Sequence, residues 1–334
     1  MKEHAYIVGI DVAKEEVAVT VLVRRTRERI SFQVANEGEE LERTLTEKIK
    51  DLSPQETLTI MEHTGVYHLR LAFYLWERGY TVVVCNPLQV RRFAQSKIKR
   101  TKTDRIDSAL LVEYAEKNED LKPFTPPDPL REEVKLRLSQ LEDLYQALRT
   151  LENQKMSMEF HPLPLAKSLV LSYERVIQNL HQEIEKQEEE LKAIVRKYFP
   201  KEICLLRSIP GIGPRAAWVI VSYLRSFEGF ERAKEVASYI GICPSVYESG
   251  KRRRSEISKR GYAYVRKILY LCALSASRFN RACRELFERL VQRGKTKKQA
   301  LIAVAHKLLR QAFAVLKRGV KYNEESALGM RGGT

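Results

Sequence analysis

Four carboxylates carry the chemistry that this sequence suggests: Asp11, Glu62, Asp104 and Asp107. Asp11 ends an apolar run, Ala5-Tyr6-Ile7-Val8-Gly9-Ile10, and Glu62 ends a second, Thr57-Leu58-Thr59-Ile60-Met61. Asp104 and Asp107 stand three residues apart at the start of a helix expected over Asp104–Lys117, a spacing that puts both on one helix face. Acids converging from two strand ends and one helix suit a two-metal centre. Magnesium takes hard oxygen ligands, and a pair of such ions can neutralise a phosphoryl group under attack. Taken singly, each is an ordinary strand-end or helix-start acid. The set of four in this order is what points to a site.

The elements around these acids read as α/β. Strands are expected over Ala5–Asp11, Val17–Val23 and Ile30–Val34, close together and linked by turns. A polar helix (Glu39–Lys50) follows, then a strand (Thr57–Glu62), a helix (Tyr67–Arg78) and a strand (Thr81–Cys85) that Asn86-Pro87 stops. Three early strands followed by alternating helix and strand is the order of a ribonuclease-H-like fold. In that order the first and fourth strands are neighbours, which would set Asp11 beside Glu62.

The chain has 334 residues, enough for two or three cores. Its formal net charge is +16 and its pI about 9.6. An excess this large calls for a polyanionic partner, and nucleic acid is the partner expected. The charge is clustered: Arg91 to Arg105 holds seven basic residues and Lys251 to Lys267 holds eight. Arg91, Arg92, Lys97, Lys99, Arg100 and Lys102 in the first run are candidate phosphate contacts, as are Lys251, Arg252, Arg253, Arg254 and Lys259 in the second. The five cysteines, Cys85, Cys204, Cys243, Cys272 and Cys283, form no CxxC pair and suggest no zinc site. No secretory leader and no apolar stretch near the roughly 20 residues of a membrane span is legible, so a cytoplasmic protein with no membrane partner is expected.

Three domains are expected: 1–122, a linker and coiled coil over 123–199, and a mainly helical domain over 200–334. Pro123, Pro126, Pro127 and Pro129 mark the linker. Beyond it Val134, Leu138, Leu141, Tyr145 and Leu148 alternate steps of four and three, as in a coiled-coil seam. His161-Pro162-Leu163-Pro164 breaks the helix, and a second run carries Leu169, Tyr173, Val176 and Leu180 before drifting to Ile184 and Leu191. The two helices suit either an internal hairpin or a coiled coil between subunits, and the length of the seam favours dimerisation. In the third domain Ser208-Ile209-Pro210-Gly211-Ile212-Gly213-Pro214 leads into an apolar helix, Arg215–Leu224. This reads as the turn of a helix-hairpin-helix element, with Gly211 and Gly213 letting backbone and helix N-terminus approach a phosphate. Its bland alternative is a turn used only for packing. Helices over Tyr262–Ser277, Arg281–Arg293 and Lys297–Lys317 complete the domain.

With these blocks in order, the chain resembles the DEDD-type transposases of bacterial insertion sequences. That group is related to the Piv DNA invertase and known as bridge-RNA-guided recombinases. The resemblance rests on Gly9-Ile10-Asp11-Val12-Ala13-Lys14, Glu62-His63-Thr64-Gly65-Val66-Tyr67, Lys102-Thr103-Asp104-Arg105-Ile106-Asp107-Ser108, and the stretch from Pro210-Gly211-Ile212-Gly213 through Ser249-Gly250-Lys251. It implies a RuvC-like nuclease domain, a coiled coil, and a C-terminal domain with an essential serine. Asp11, Glu62, Asp104 and Asp107 then correspond to the family's acidic, Mg2+-binding tetrad. Ser249, in Tyr247-Glu248-Ser249-Gly250, corresponds to its serine nucleophile, with Ser255 and Ser258 as the competing hydroxyls nearby. Lys251 stands where members often carry a second glycine.

The resemblance implies a DNA recombinase in which Ser249 attacks the DNA backbone to form a phosphoserine intermediate at a composite site. It further implies donor and target DNA as partners, a noncoding bridge RNA that pairs with them, and homodimers assembling to a tetramer, with tetrad and serine supplied by different subunits. The basic excess fits an RNA–DNA duplex held by its backbone while base pairing reads sequence. Two other readings stand beside it: a metal-only nuclease resembling a junction resolvase, which leaves Ser249 unused, and a non-enzymatic nucleic-acid-binding scaffold.

Overall fold

A computed structural model describes residues 4–96, 104–118, 120–162, 165–242, 244–249, 252–257 and 261–325. Its contacts divide the chain into two compact units, Met1–Pro126 and Pro127–Thr334.

The first unit is built on a five-stranded mixed sheet. Its strands are β1 (Tyr6–Val12), β2 (Glu16–Val23), β3 (Glu28–Ala35), β4 (Thr57–Glu62) and β5 (Thr81–Cys85), in the order β3-β2-β1-β4-β5. The first three pair antiparallel; β4 and β5 join parallel to β1. The first and fourth strands are thus neighbours, as the order along the chain predicts. Central strands covered on both faces must be apolar throughout, and β2 is buried from Val17 to Leu22. Its helices are α1 (Gly38–Lys48), α2 (Tyr67–Glu77), α3 (Pro87–Ser96) and α4 (Asp104–Lys117). Leu41, Leu45, Leu71 and Leu75 of α1 and α2 pack with Val8, Ile10 and Val19 on one face. Val90, Leu111 and Val112 of α3 and α4 pack with Ile7, Leu58, Ile60 and Val83 on the other. At the β3 edge Arg27 and Arg29 pair with Glu116 and Glu113 of α4 at 2.6 and 3.4 Å, charges that blunt an exposed edge. Helix α3 begins one residue after the strand-stopping Asn86, where the sequence suggested only a basic run: Val90 and Phe93 turn inward while Arg91 and Arg92 face out. Phe124 ties the proline-rich segment back to the sheet, its N–H donating to the Val82 carbonyl at 2.7 Å.

Among the described residues the second unit is helical apart from one hairpin. Its long helices α5 (Pro129–Glu159) and α6 (Leu165–Tyr198) run antiparallel against each other. Asp128 caps α5 by accepting from the Leu130 and Arg131 amides, with Pro129 at the first helical position. The helices are pinned by Arg137–Glu190 at 2.7 Å and Lys155–Glu174 at 2.9 Å. The expected seam is filled from within the chain: Val134, Leu138, Leu141 and Leu148 are buried with Ile184, Leu191 and Val195. The dimer seam expected from the heptads is here an intramolecular hairpin. A heptad reports a buried stripe and not which helix covers it. Leu169 and Val176, also expected in the seam, are 43% and 45% exposed.

There follow α7 (Pro200–Arg207), α8 (Pro214–Tyr223) and α9 (Ala233–Ile240), then the hairpin β6 (Pro244–Ser249) and β7 (Arg252–Ile257), then α10 (Ala263–Phe279), α11 (Arg281–Gln292) and α12 (Lys297–Arg318). The basic stretch after Ser249 is a strand for the part described. Arg131 ties α5 to the α8 end of this core. Its guanidinium donates to the Val221 carbonyl at 2.9 Å and to Glu228 at 2.6 Å, and lies over the Phe199 ring. Among the described residues no helix is long and apolar enough to cross a membrane.

Candidate active site

The site begins at a glycine. Gly9 faces α4, and a Cβ built there would lie 2.2 Å from the Ser108 carbonyl oxygen and 2.9 Å from Val112 Cγ2. Only a residue without a side chain lets the helix seat this close. Side chains alternate faces along a strand, so Asp11 lies on the Gly9 face, the face that α4 covers. β1 and β4 run parallel, with Gly9 opposite Ile60 and Ile10 opposite Met61. One step further along each strand come Asp11 and Glu62, side by side, and Ile60 places Glu62 on the α4 face too. Asp107 immediately precedes the Ser108 whose carbonyl covers Gly9, in the first turn of α4. Asp11, Glu62 and Asp107 are all partly exposed. Asp104 is the first residue of α4, and only its backbone is described.

Hydrogen bonds that sequence reasoning missed hold this arrangement. Ser108 is buried, and its Oγ lies 2.9 Å from Thr20 Oγ1, which is 3.0 Å from Ser31 Oγ. Thr20 is the β2 partner of Gly9, so this chain of hydroxyls pins the first turns of α4 to the sheet beside the glycine. Ser108 falls within the Lys102–Ser108 block, but nothing in the sequence says that its partner is Thr20. Asn36 Nδ2 donates to the Ala13 carbonyl at 2.8 Å and to the Tyr67 carbonyl at 3.4 Å, joining the turn after Asp11 to the start of α2. Behind Glu62, Cys85 is buried and its Sγ donates to the Met61 carbonyl. Burial, reinforced by the negative charge of Glu62, pushes that thiol up to about 12. It is a packing residue, not a nucleophile. His68 is buried beside His63, ring centroids 4.5 Å apart. Burial, with His63 adding to it, holds the His68 imidazole below its ordinary pKa and keeps it neutral.

The acids at this edge offer carboxylate oxygens, the class that a hard divalent cation such as Mg2+ selects. Among the described residues no three His, Cys, Asp or Glu side chains form a group that could hold a metal ion. What the described residues show is the pair of strand-end acids, Asp11 and Glu62, on neighbouring parallel strands.

Of the first basic run, Arg91 and Arg92 are exposed on α3, while Lys97, Lys99, Arg100 and Lys102 lie outside the described residues. In the second unit Ser249 is the last residue of β6 and the register partner of Arg252, the first of β7. Arg253 and Arg254 pair with Glu248 and Tyr247. Ser255 sits within the ladder opposite Val246, whereas Gly250, Lys251, Ser258 and Lys259 lie outside the described residues. The root of this hairpin is fixed. Gly261, at φ +79°, packs where a Cβ would meet the Tyr239 carbonyl at 2.4 Å, and Arg266 donates to the Ile240 carbonyl at 2.7 Å.

The two glycines of the α7–α8 turn separate in role. Gly211 has φ +103°, and a Cβ on it would lie 2.6 Å from Ala276 Cβ of α10. Its glycine is explained by packing. A Cβ on Gly213 would meet nothing within 4 Å, so the space beside this residue, which precedes α8, is open. Arg215, the second residue of α8, is occupied internally by Glu142 at 2.9 Å and by the Tyr145 ring.

Residues 8–158 match the family model of the IS110 DEDD transposases, described as "Transposase", and residues 204–288 match that described as "Transposase IS116/IS110/IS902 family". The chain is 28% identical over 326 residues to the "Pilin gene-inverting protein" of Moraxella lacunata, covering 95% of this chain and 97% of that protein. It is 31% identical over 127 residues to the "Insertion element IS110 uncharacterized 43.6 kDa protein" of Streptomyces coelicolor, covering 38% and 31% of the two chains. It is 24% identical over 278 residues to "Putative transposase y4qE" of Sinorhizobium fredii, covering 80% and 70%. Among solved structures it is similar to "T. thermophilus RuvC in complex with Holliday junction substrate", at 13% identity and a TM-score of 0.27, covering 36% of this chain and all of that one.

Proposed function

The chain belongs to the IS110 family of DEDD transposases, and from that premise we propose that it cuts and rejoins DNA through Asp11, Glu62, Asp104 and Asp107 of a RuvC-like domain and through Ser249. The observation that supports the reading is the seat of α4 on Gly9, just before the neighbouring strand ends that carry Asp11 and Glu62. The four carboxylates would hold Mg2+, which when bound neutralises charge developing on the phosphoryl oxygens.

Ser249 is the nucleophile of this reading. Its Oγ attacks phosphorus and forms a phosphoserine ester, while the displaced sugar oxygen leaves as a hydroxyl with the serine proton. Attack of a DNA hydroxyl on that ester reseals the strand and returns the proton to Ser249. A serine hydroxyl is weak unless activated, and a base or a bound metal would have to supply what it lacks. Support for Ser249 over Ser255 comes from its place at the end of the ladder, in register with the first of three consecutive arginines. Arg252, Arg253, Arg254, Lys251 and Lys259 then grip flanking phosphates, as do Arg91, Arg92, Lys97, Lys99, Arg100, Lys102 and the helix-hairpin-helix turn at Gly213.

The same reading includes a bridge RNA, supported by the net charge of +16, and an assembly of dimers into a tetramer. With the α5–α6 seam largely closed internally, the apolar side chains left for a second copy are scattered along the hairpin, Leu136 near its start at 62% exposed among them. Phe160 is 85% exposed, Leu171 60% and Met156 57%.

Conservative replacement tests the carboxylates. Asp11→Asn, Asp104→Asn, Asp107→Asn and Glu62→Gln each keep size and lose the charge a metal needs. In Mg2+ each variant should fail to cut DNA spanning an element end while fluorescence anisotropy still reports binding. Undiminished cutting by Asp11→Asn or Asp107→Asn removes the site from the mechanism. Cutting that never attaches protein to DNA turns the reading to the metal-only nuclease. Binding without cutting by the wild-type protein turns it to the scaffold.

A further inference from the structure

A cavity of about 460 Å3 opens in the second unit between the end of α6, helix α7 and the segment that follows α12. Pro200, Ile203 and Cys204 give it an apolar floor, and Arg196, Arg207 and Lys321 bring three cations to it. Among the described residues no acid lines it. Several cations of this unit are matched by acids: Arg137 with Glu190, Lys155 with Glu174, Arg215 with Glu142. Arg196, Arg207 and Lys321 make no ion pair among the described residues, although α6 is rich in glutamate. Glu189 is bonded to Lys192 at 2.6 Å, which chiefly holds its carboxyl low, and the charge of Arg196 nearby adds to this without an ion pair.

The third cation is brought there by a buried network. Ser208, on the cavity wall, accepts the Tyr322 backbone N–H at 2.8 Å. The Tyr322 hydroxyl donates to Asn280 Oδ1 at 3.3 Å and accepts from Gln311 Nε2 at 3.3 Å. Asn280 and Gln311 are themselves buried and bonded to each other at 3.0 Å. Lys321 is therefore held in place by its anchored neighbour rather than left on a loose tail. The volume falls within the range of ligand sites, roughly 300–1,000 Å3. An apolar floor ringed by cations fits a ligand with one flat apolar part and one anionic part.

We propose that this cavity receives one nucleotide of a single-stranded nucleic acid, its phosphate on Arg196, Arg207 and Lys321 and its sugar or base on Pro200, Ile203 and Cys204. The proposal rests on the nucleic-acid reading above. A paired base is buried in its duplex and has no face to offer a cavity, so unpaired strands are selected. The α7–α8 turn starts at Ser208 on the same wall, so the strand would leave the cavity along the open side of Gly213.

Cys204 reports occupancy. It is exposed, whereas Cys85, Cys272 and Cys283 are buried, with burial pushing their thiols up to about 12, about 11 and about 12. The full chain is treated with N-ethylmaleimide at neutral pH, and alkylation of the Cys204 peptide is followed by mass, the Cys243 peptide being resolved separately. Short single-stranded DNA, RNA of the same sequence, duplex DNA and a free mononucleotide form the arms. Single strands should slow Cys204 alkylation in proportion to the bound fraction, and the DNA and RNA arms identify which strand enters. In Arg196→Ala/Arg207→Ala/Lys321→Ala, residual binding should no longer protect Cys204, and the salt dependence of single-strand affinity should flatten by about 0.7 for each phosphate released. All three side chains are exposed, so the variant should melt as the wild type does. Strand binding that leaves Cys204 alkylation unchanged overturns the cavity and leaves the proposed function standing. Protection by the mononucleotide or the duplex but not by a strand overturns it as well. Absence of all nucleic-acid binding overturns both readings.

Discussion

Gly9→Ala is the sharpest perturbation of the site because it changes none of the acids. The added methyl would sit 2.2 Å from the Ser108 carbonyl oxygen, where an approach under 3.0 Å forces something to shift. The obstacle is backbone in α4, not the end of a flexible side chain. The helix must withdraw by ~1 Å, or β1 must bow by as much, and Val112 cannot absorb the change at 2.9 Å. Overpacking of this kind costs about 1–3 kcal/mol. At ~4 °C per kcal/mol for a unit of this size, melting should fall by roughly 4–12 °C. The larger effect is on catalysis. The helix that retreats carries Asp107, and a misplacement of ~1 Å at a reacting centre is worth about 100-fold. Single-turnover cutting of DNA in saturating Mg2+, with a thermal melt on the same protein, reads both. Cutting within two-fold of wild type would refute the argument that α4 must seat on Gly9 to complete the site. A lowered melting point with full activity would restrict Gly9 to a packing role.

Three further outcomes are expected. Leu138→Asp and Leu141→Asp place uncompensated charge at positions 0% and 1% exposed, costing about 3–5 kcal/mol each. They should unfold or aggregate the second unit, and a smaller, folded, soluble species in sedimentation would restore the seam as a subunit contact. Replacing Arg252, Arg253 and Arg254 by Ala should flatten the slope of log affinity against log salt on duplex DNA by about 0.9 for each phosphate no longer neutralised, and an unchanged slope would show that the arginines are solvated. Ser108→Ala leaves Thr20 short of a buried partner and should cost about 1 kcal/mol, measured by denaturant midpoint, with partial loss of cutting.

Much of the first unit was legible because its elements announce themselves. The β-branched runs at Ile7–Ile10, Val17–Val21 and Val82–Val84 end in polar or turn residues, and α4 was bounded correctly by Asp104 and Lys117. The order of strands and helices predicted Asp11 beside Glu62, because it makes the first and fourth strands neighbours, as β1 and β4 are. What stayed hidden depended on partners distant in sequence. Gly9 looks like any strand glycine until α4 lies on it, and the Thr20–Ser108 bond joins residues that no local pattern relates. The hairpin that carries Ser249 was missed because Arg252-Arg253-Arg254-Ser255-Glu256 lacks the apolar alternation of a half-buried strand. α7 and α9, eight residues each, are too short for a periodic signal. The heptads of α5 disclosed a buried stripe but not that α6 and α8 of the same chain cover it.

The central claim, that strand transfer passes through Ser249 under the control of the acidic site, is tested most directly by trapping protein on DNA. End-labelled element-end DNA is incubated with the protein in Mg2+, denatured and digested, and the labelled peptide is sequenced by mass. A phosphodiester adduct on Ser249, absent from Ser249→Ala and from Asp11→Asn but present in Ser255→Ala and Ser258→Ala, is the result predicted. DNA cut to completion with no peptide attached, or an adduct on Ser255 or Ser258 that survives Ser249→Ala, would contradict it.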